Sequence, residues 1–445
     1  MKGIFIALAA CAAACTGITA DAKSLVEQHI DSLVGSTRII NLENDGPRMV
    51  RFSPEPELTP EQDSIRNLVL AFYYDQFRHS QDPEAPTFLF MSKSANMLMG
   101  IGGVVRMRGW YDWGGAMPAT VFAPYMIPIP ENPLSTKHLG TTPAGTALFL
   151  QMIGRSKLGT YRLYIEANFN GYNTRGLQLK KAYAALGPWT VGYTNSTFSD
   201  PTAMAPTVDA QGATNKLSRT DILVRYMPQI AKHWTVAVSL ENPSTQIDVS
   251  AGGTQAISTW LPDAAAFVQY QWGGGEHVRL AGIVRQLGYR DIAAGVNHNL
   301  AGWGVQLSSM AHPHPNVTTY VTANYGKGYG GLLNDLLAGN YDLVPDPDVP
   351  GKLYAPRSYG YSIGAQYNFS EKLFMSANFS QTRYLPSKAV AGDEYRYGWC
   401  ADINLFWNVW SRLQVGAEVD LGKRMNMDGT HRYARRAGLM CQFSF

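Results

Sequence analysis

Apolar and polar residues alternate along the C-terminal part of the chain. In RLQVGAEVDLGKR, residues 412–424, Leu413, Val415, Ala417, Val419 and Leu421 are separated by Gln414, Gly416, Glu418 and Asp420. Successive side chains of an extended strand point to opposite faces, so the run predicts a strand with one apolar and one polar face. EYRYGWCADINLFWN, residues 394–408, repeats the pattern. Tyr395, Tyr397, Trp399, Ala401, Ile403, Leu405 and Trp407 fall on one side, with Arg396, Gly398, Cys400, Asp402, Asn404 and Asn408 on the other. SYGYSIGAQYNF, residues 358–369, opposes Tyr359, Tyr361, Ile363, Ala365 and Tyr367 to Gly360, Ser362, Gly364, Gln366 and Asn368.

A soluble sandwich alternates in the same way. Two features argue instead for an all-β transmembrane antiparallel barrel. The runs are about ten to fourteen residues long, enough for a tilted strand to cross a bilayer. Aromatic residues also crowd the ends of each apolar stripe, as girdles at two membrane interfaces require. Similar segments recur back to MLMGIGGVVRMRGWYDW, residues 97–113, giving roughly sixteen strands in about 350 residues. Short connections such as 368–372, 408–412 and 273–277 alternate with long ones such as 326–357, the asymmetry of periplasmic turns and extracellular loops. The chain stops on CQFSF. A closed barrel pairs its last strand with its first, which puts Phe443 and Phe445 at the membrane boundary. Such an ending resembles the signal read by the barrel assembly machinery of bacterial outer-membrane proteins.

The N-terminus, MKGIFIALAACAAACTGITADAKS, has one Lys, an apolar core over 4–14 and small residues suited to cleavage, so residues 1–22 read as a secretory signal peptide. LAAC at 8–11 also resembles a lipoprotein box, which makes Cys11 a candidate acylation site. No later run of about 18 apolar residues offers a transmembrane helix. Residues 23–95 read as a periplasmic segment with helices, and 96–445 as the barrel. Within the segment, Thr59, Pro60 and Gln62 form a capping arrangement ahead of Ile65, Leu68, Val69 and Phe72 on one helical face, and SLVEQHIDSLV is a second helical candidate. Cys400 and Cys441 fall on opposite faces of strands that are not neighbours, so both are expected as free thiols.

Of the 445 residues 45% are hydrophobic and only 16% charged, with 24 Tyr, 10 Trp and 43 Gly, a balance suited to strands and turns. A net charge of +3 gives no basis for nucleic-acid binding. YRLYIEANFNG, LQLKKAYAAL, GYTNSTFSDPTAMAPTVD, VAVSLENPSTQI and HVRLAGIVRQLGYR, between about 158 and 290, resemble in order and spacing the DcaP-like porin family. The resemblance implies a homotrimeric sixteen-stranded outer-membrane channel that passes small anionic solutes such as dicarboxylates. It also implies that TNSTFSDP, residues 194–201, leads into an inward-folded constriction loop carrying Asn195, Asp200, Asp209, Lys216 and Arg219. Asn195 stands where the family usually has Trp, and the sustained heptads of the family's N-terminal coiled coil are missing.

If the apolar face meets lipid, the other face lines a pore. Arg106, Arg108, Arg162, Lys180, Arg225, Arg279, Arg285, Arg396 and Arg436 are expected there, against Asp112, Glu166, Glu241, Asp402, Glu418 and Asp420. The basic excess favours anions, although cross-strand pairs such as Arg162 with Glu166 or Arg396 with Asp402 would consume part of it. A structural or adhesion barrel with a filled lumen is an alternative. Small polar inward residues such as Gly302, Gly304, Gly360, Ser362 and Gly364 argue for an open lumen instead. A barrel hydrolase is a further alternative, but His277, His298, His312, His314 and His431 have no Ser or Asp at an informative spacing. Asp342, Asp346 and Asp348 lack the spacing of a calcium loop, and no phosphate loop, dinucleotide fingerprint or CxxC motif occurs. The expected chain is therefore a non-enzymatic channel without metal or cofactor, whose partners are outer-membrane lipid, further copies of itself and small anions.

Overall fold

The computed structural model describes residues 38–43, 46–51, 88–91 and 97–445, apart from 116, 118, 135, 172–174, 218, 273–274 and 411. Sixteen antiparallel strands close into one barrel. They are β1 (Met97–Trp113), β2 (Ala147–Ser156, prolonged by Lys137–Thr142), β3 (Gly159–Asn168), β4 (Gln178–Leu186), β5 (Trp189–Asn195), β6 (Thr220–Tyr226), β7 (Trp234–Glu241) and β8 (Asp263–Gln271). Then follow β9 (His277–Asp291), β10 (Val296–His314), β11 (Val317–Lys327), β12 (Arg357–Asn368), β13 (Leu373–Leu385), β14 (Tyr395–Trp410), β15 (Leu413–Asn426) and β16 (His431–Ser444). Each pairs with the next, and β16 pairs with β1 from Arg435↔Trp113 to Ser444↔Val104, so the sheet has no free edge along this seam.

The alternation read from the sequence holds along most of the wall. Val105, Met107, Ile222, Val238, Leu280, Val305, Ile363, Ile403, Val419 and Leu439 are exposed on the outer face. Ser308, Thr322, Ser362, Ser380, Asn404 and Glu418 are buried on the inner one. An apolar exterior around a polar interior inverts the soluble pattern and makes this a transmembrane barrel. Trp189 meets Tyr226 at the short-turn end with ring centroids 4.7 Å apart, and Trp303 meets Tyr325 nearer the long-loop end at 5.7 Å. Cys400 is buried inside, Cys441 is exposed outside, and both are free.

Two of the register shifts in the wall reassign charged residues that the sequence had placed inward. The register shifts between Tyr395 and Tyr397, which turns Tyr395 inward to complete burial and displaces Arg396 from the inward row in which the sequence had placed it. A second shift, between Glu166 and Ala167, sets Lys181 rather than Lys180 opposite Glu166.

Below the barrel seam, Phe88–Met91 pairs with residues 98–101 of β1, continuing the edge beyond the end of β16. Arg38–Glu43 runs parallel to that strand, and Gly46–Arg51 antiparallel to Arg38–Glu43. These strands lie in the segment for which the sequence suggested helices. The signal peptide, Cys11 and the candidate helices around 24–34 and 59–76 lie outside the described residues.

Candidate functional site

The 196–219 connection between β5 and β6 turns into the barrel instead of standing above it. Its base is tied by Ser196, whose N–H donates to Arg219 O at 3.1 Å, and by Thr197, whose N–H donates to Glu241 Oε1 at 2.8 Å. Asp200 is then seized by β9 and β10. Its Oδ2 lies 2.8 Å from His277 Nε2 and accepts from Ser308 Oγ at 2.5 Å, while Arg279 stands 3.6 Å from its Oδ1. Burial pushes the Asp200 carboxyl up, but Arg279 and His277 outweigh it and hold the group well below the usual carboxylate range.

Farther along, the wall grips the loop mainly by its backbone. Ser376 Oγ donates to Pro206 O at 2.5 Å, and Val208 N–H donates to Asn404 Oδ1 at 2.9 Å. Val208 O accepts from Arg106 Nη2 at 2.7 Å, and Asp209 N–H donates to Glu418 Oε2 at 2.7 Å. The Asp209 carboxylate lies 3.4 Å from both Arg108 and Arg436. On the way back, Thr214 N–H donates to Ser380 Oγ and Asn215 O accepts from Asn324 Nδ2. The loop is thus laid along β9 to β16 and reaches β1.

Glycines make the bed. A Cβ at Gly304 would come within 3.0 Å of the Phe198 ring, one at Gly364 within 2.9 Å of Ala205, and one at Gly416 within 2.8 Å of Val208; one at Gly360 would collide with Asn215. The small inward residues that suggested an open lumen are therefore, on this side, the floor on which the loop rests.

Two more connections fold in above it. Asp335, in the 328–356 connection, donates its N–H to Thr214 O, and its carboxylate accepts from Tyr125 N–H at 2.9 Å and Tyr395 OH at 2.5 Å. Burial pushes this carboxyl up to about 6 against the opposing effect of those donors and Arg424. Arg285 is completely buried beside Asp263 and Asp342, and Arg219 reaches Asp263 and Asp221. Of the three aspartates that the sequence places together in the long connection, Asp342 is consumed in this knot, whereas Asp346 and Asp348 pair with Lys388.

The structure therefore divides the inward charges expected from the sequence. Arg108, Arg285, Asp402 and Arg436 point inward but are sealed beneath the loops, Arg436 being clamped to Asp112 at 2.6 and 2.9 Å. Lys216 and Arg219 hold the loop itself, Lys216 through Ala210 O and Gln211 O. Asn195 ends β5 opposite Thr220. Arg162, Glu166 and Arg225 lie on the inward register of β3 and β6, on the arc of wall that runs from β1, where the loop tip ends, round to the loop's own base. Glu166 pairs there with Lys180 at 3.0 Å and Lys181 at 3.9 Å. Lys181 was missed by sequence reasoning because the bulge reverses the parity of its strand. Among the described residues, no group of His, Cys, Asp and Glu is arranged to hold a metal ion.

No protein-family model and no curated protein sequence matches the chain. Solved structures do. The outer membrane channel DcaP of Acinetobacter baumannii superposes with a TM-score of 0.69 at 20% identity, over 80% of this chain and 99% of that one. The anion-selective porin from Comamonas acidovorans gives a TM-score of 0.52 at 10% identity, over 78% of this chain and 100% of that one. At these identities the likeness establishes a shared fold, the sixteen-stranded porin barrel.

Proposed function

We propose that this chain is an outer-membrane porin of the DcaP type, a passive channel whose constriction favours small organic anions such as dicarboxylates. The observation that carries the reading is the uneven neutralisation of charge around the loop. Asp209 is held by two arginines, Asp200 by Arg279 together with contacts to His277 and Ser308, and Glu166 by two lysines. Arg106 and Arg225 have no carboxylate in ion-pair range among the described residues, and the Nε of each is without a partner. On the β2–β6 wall Arg162, Lys180, Lys181 and Arg225 outnumber Glu166, so water passing between that wall and the loop would meet net positive charge. At physiological ionic strength the Debye length is about 8 Å, so such charge is felt across a narrow opening. The DcaP likeness supports the channel reading, and the family resemblance extends it to a homotrimer inserted by the barrel assembly machinery.

Reconstituted protein in a planar bilayer under a salt gradient tests this. An anion-selective reversal potential is expected, reflecting a several-fold preference, and Arg106→Gln with Arg225→Gln should shrink it. A cation-selective sign would overturn the anion preference. Absence of conductance from folded protein would overturn the channel in favour of a plugged barrel.

A further inference from the structure

The outer wall carries charges that solute passage does not use. Lys327 closes β11 and pairs in register with Arg357, which opens β12. Arg383 lies on β13 between Tyr359 and Tyr397 of its neighbours, and Lys423 on β15 between Trp399 and Tyr433. Arg435 and Lys137 flank Trp113 from either side. All six stand on the outward register, and all are exposed or half-buried. They form a belt around the long-loop end of β11 to β16 and across β1 to the extension of β2.

Three observations bear on what the belt faces. Among the described residues none of the six enters an ion pair, whereas inward Arg108, Arg279, Arg285 and Arg436 all do. The belt also sits at the depth of the aromatic girdle. The Arg383 guanidinium lies 5.7 Å from the Tyr397 ring centroid, and the Lys423 ammonium 5.9 and 5.3 Å from those of Tyr397 and Tyr433. Tyr and Trp mark the headgroup level of a membrane, so these cations are at the interface and not in hydrocarbon. Third, the belt is one-sided. At the short-turn end the outward positions of the same strands hold Tyr367, Leu373, Trp407, Val415, Cys441 and Phe443, with neither Lys nor Arg.

We infer that this belt seats the phosphate groups of anionic lipids in the leaflet at the long-loop end, with their acyl chains lying on the apolar face below. The inference rests on the outer-membrane reading only for which leaflet that is. Guanidinium and ammonium groups recognise phosphate by charge-assisted hydrogen bonds, and several at one interface bind anionic headgroups with strong salt dependence. A free anion would gain nothing from the tyrosine and tryptophan between the cations, whereas a lipid headgroup fills both.

The test uses the full chain in vesicles of phosphatidylcholine containing lipid A, either bis-phosphorylated or stripped of phosphate, followed by detergent extraction and native mass spectrometry. The wild type should retain bis-phosphorylated lipid A at least five-fold more than the stripped form and release it as salt is raised. The variant Lys327→Gln/Arg357→Gln/Arg383→Gln/Lys423→Gln/Arg435→Gln should lose that preference. Should that variant fail to give a heat-modifiable barrel on gels, Lys423→Gln/Arg435→Gln alone is expected to lower retention at least two-fold. Equal retention of the two lipids by the wild type, or undiminished retention by folded variants, would overturn the proposal. Conductance recorded on the same preparations separates the two readings: a wild type that holds the lipid but does not conduct removes only the porin, and one that conducts without lipid preference removes only the belt.

Discussion

Phe445 and Gly103 exchange their backbone hydrogen bonds, each N–H donating to the other's carbonyl oxygen at 2.9 Å, so the last residue of the chain forms the final rung of the barrel seam. The Phe445 ring lies over Gly103, where a Cβ would sit 2.6 Å from its tip carbon and 2.9 Å from Ala147 O. Deleting Phe445 removes both bonds, each worth about 1 kcal/mol net, and strips the aromatic residue from the boundary. The heat-resistant band on unboiled gels should fall markedly for the deletion and for Gly103→Ala. Gly109→Ala, whose Cβ would meet nothing nearer than 3.8 Å, should leave it unchanged.

Arg436 and Asp112 form the tightest buried pair near the loop tip, and Arg436 also stacks on Trp110 with its guanidinium carbon 5.0 Å from the ring centroid. Arg436→Met leaves a buried carboxylate without its partner, a change that costs about 3–5 kcal/mol. Urea unfolding in micelles should show a loss of that size. The same variant releases one of the two cations on Asp209, so single-channel conductance should become noisier as the loop tip loosens.

Asp335 couples the stacked connections to pH. Its carboxyl titrates at about 6 in the folded chain because burial disfavours the anion, against about 3.9 when unfolded. Between these values the folded state binds the extra proton, so this group makes the barrel more stable as pH falls from 6 toward 4. Above 6 its contribution is flat. The span of about two units corresponds to roughly 3 kcal/mol. Melting temperatures at pH 4.5 and 7.5 should differ in that direction for the wild type and converge for Asp335→Asn. An unchanged difference in the variant would assign the effect elsewhere.

Labelling separates the two faces. Cys441 should react with a membrane-soluble maleimide and resist an aqueous one, while Cys400, buried beside Met117, Phe122 and Ile127, should react with neither until the chain unfolds. In a background without these two thiols, cysteines at Ile363 and Val419, 44% and 54% exposed on the outer wall, should behave like Cys441. Aqueous labelling of all positions alike would contradict the barrel's placement in a bilayer.

The barrel was legible because β12 and most of β14 to β16 obey a period of two that only a two-faced sheet requires. The constriction was legible only in part. Parity cannot see a bulge, so Tyr395 and Arg396 exchange roles across one inserted residue, and Lys181 hides behind Lys180 for the same reason. Nor can parity tell an inward charge that meets water from one that meets protein. Arg436 is sealed because Asp209, 227 positions earlier in the chain, is brought against it by a loop whose path no local pattern records. Gly360 and Gly364 look like an empty lumen in the sequence and serve as the seat of that loop.

The wall holds the loop at Pro206 O, Val208 N and O, Asp209 N, Thr214 N and Asn215 O, atoms that every amino acid except proline at the N–H positions would present. Mounting and lining are therefore separable. Side chains that the wall does not enclose, such as Met204, Thr207 and Ala210, are free to vary while the strip stays where it is, whereas Ala203, Val208 and Ala213 are packed in place. A lineage carrying this barrel could change what it admits by point substitutions at those few positions, leaving the sixteen strands and their closure untouched.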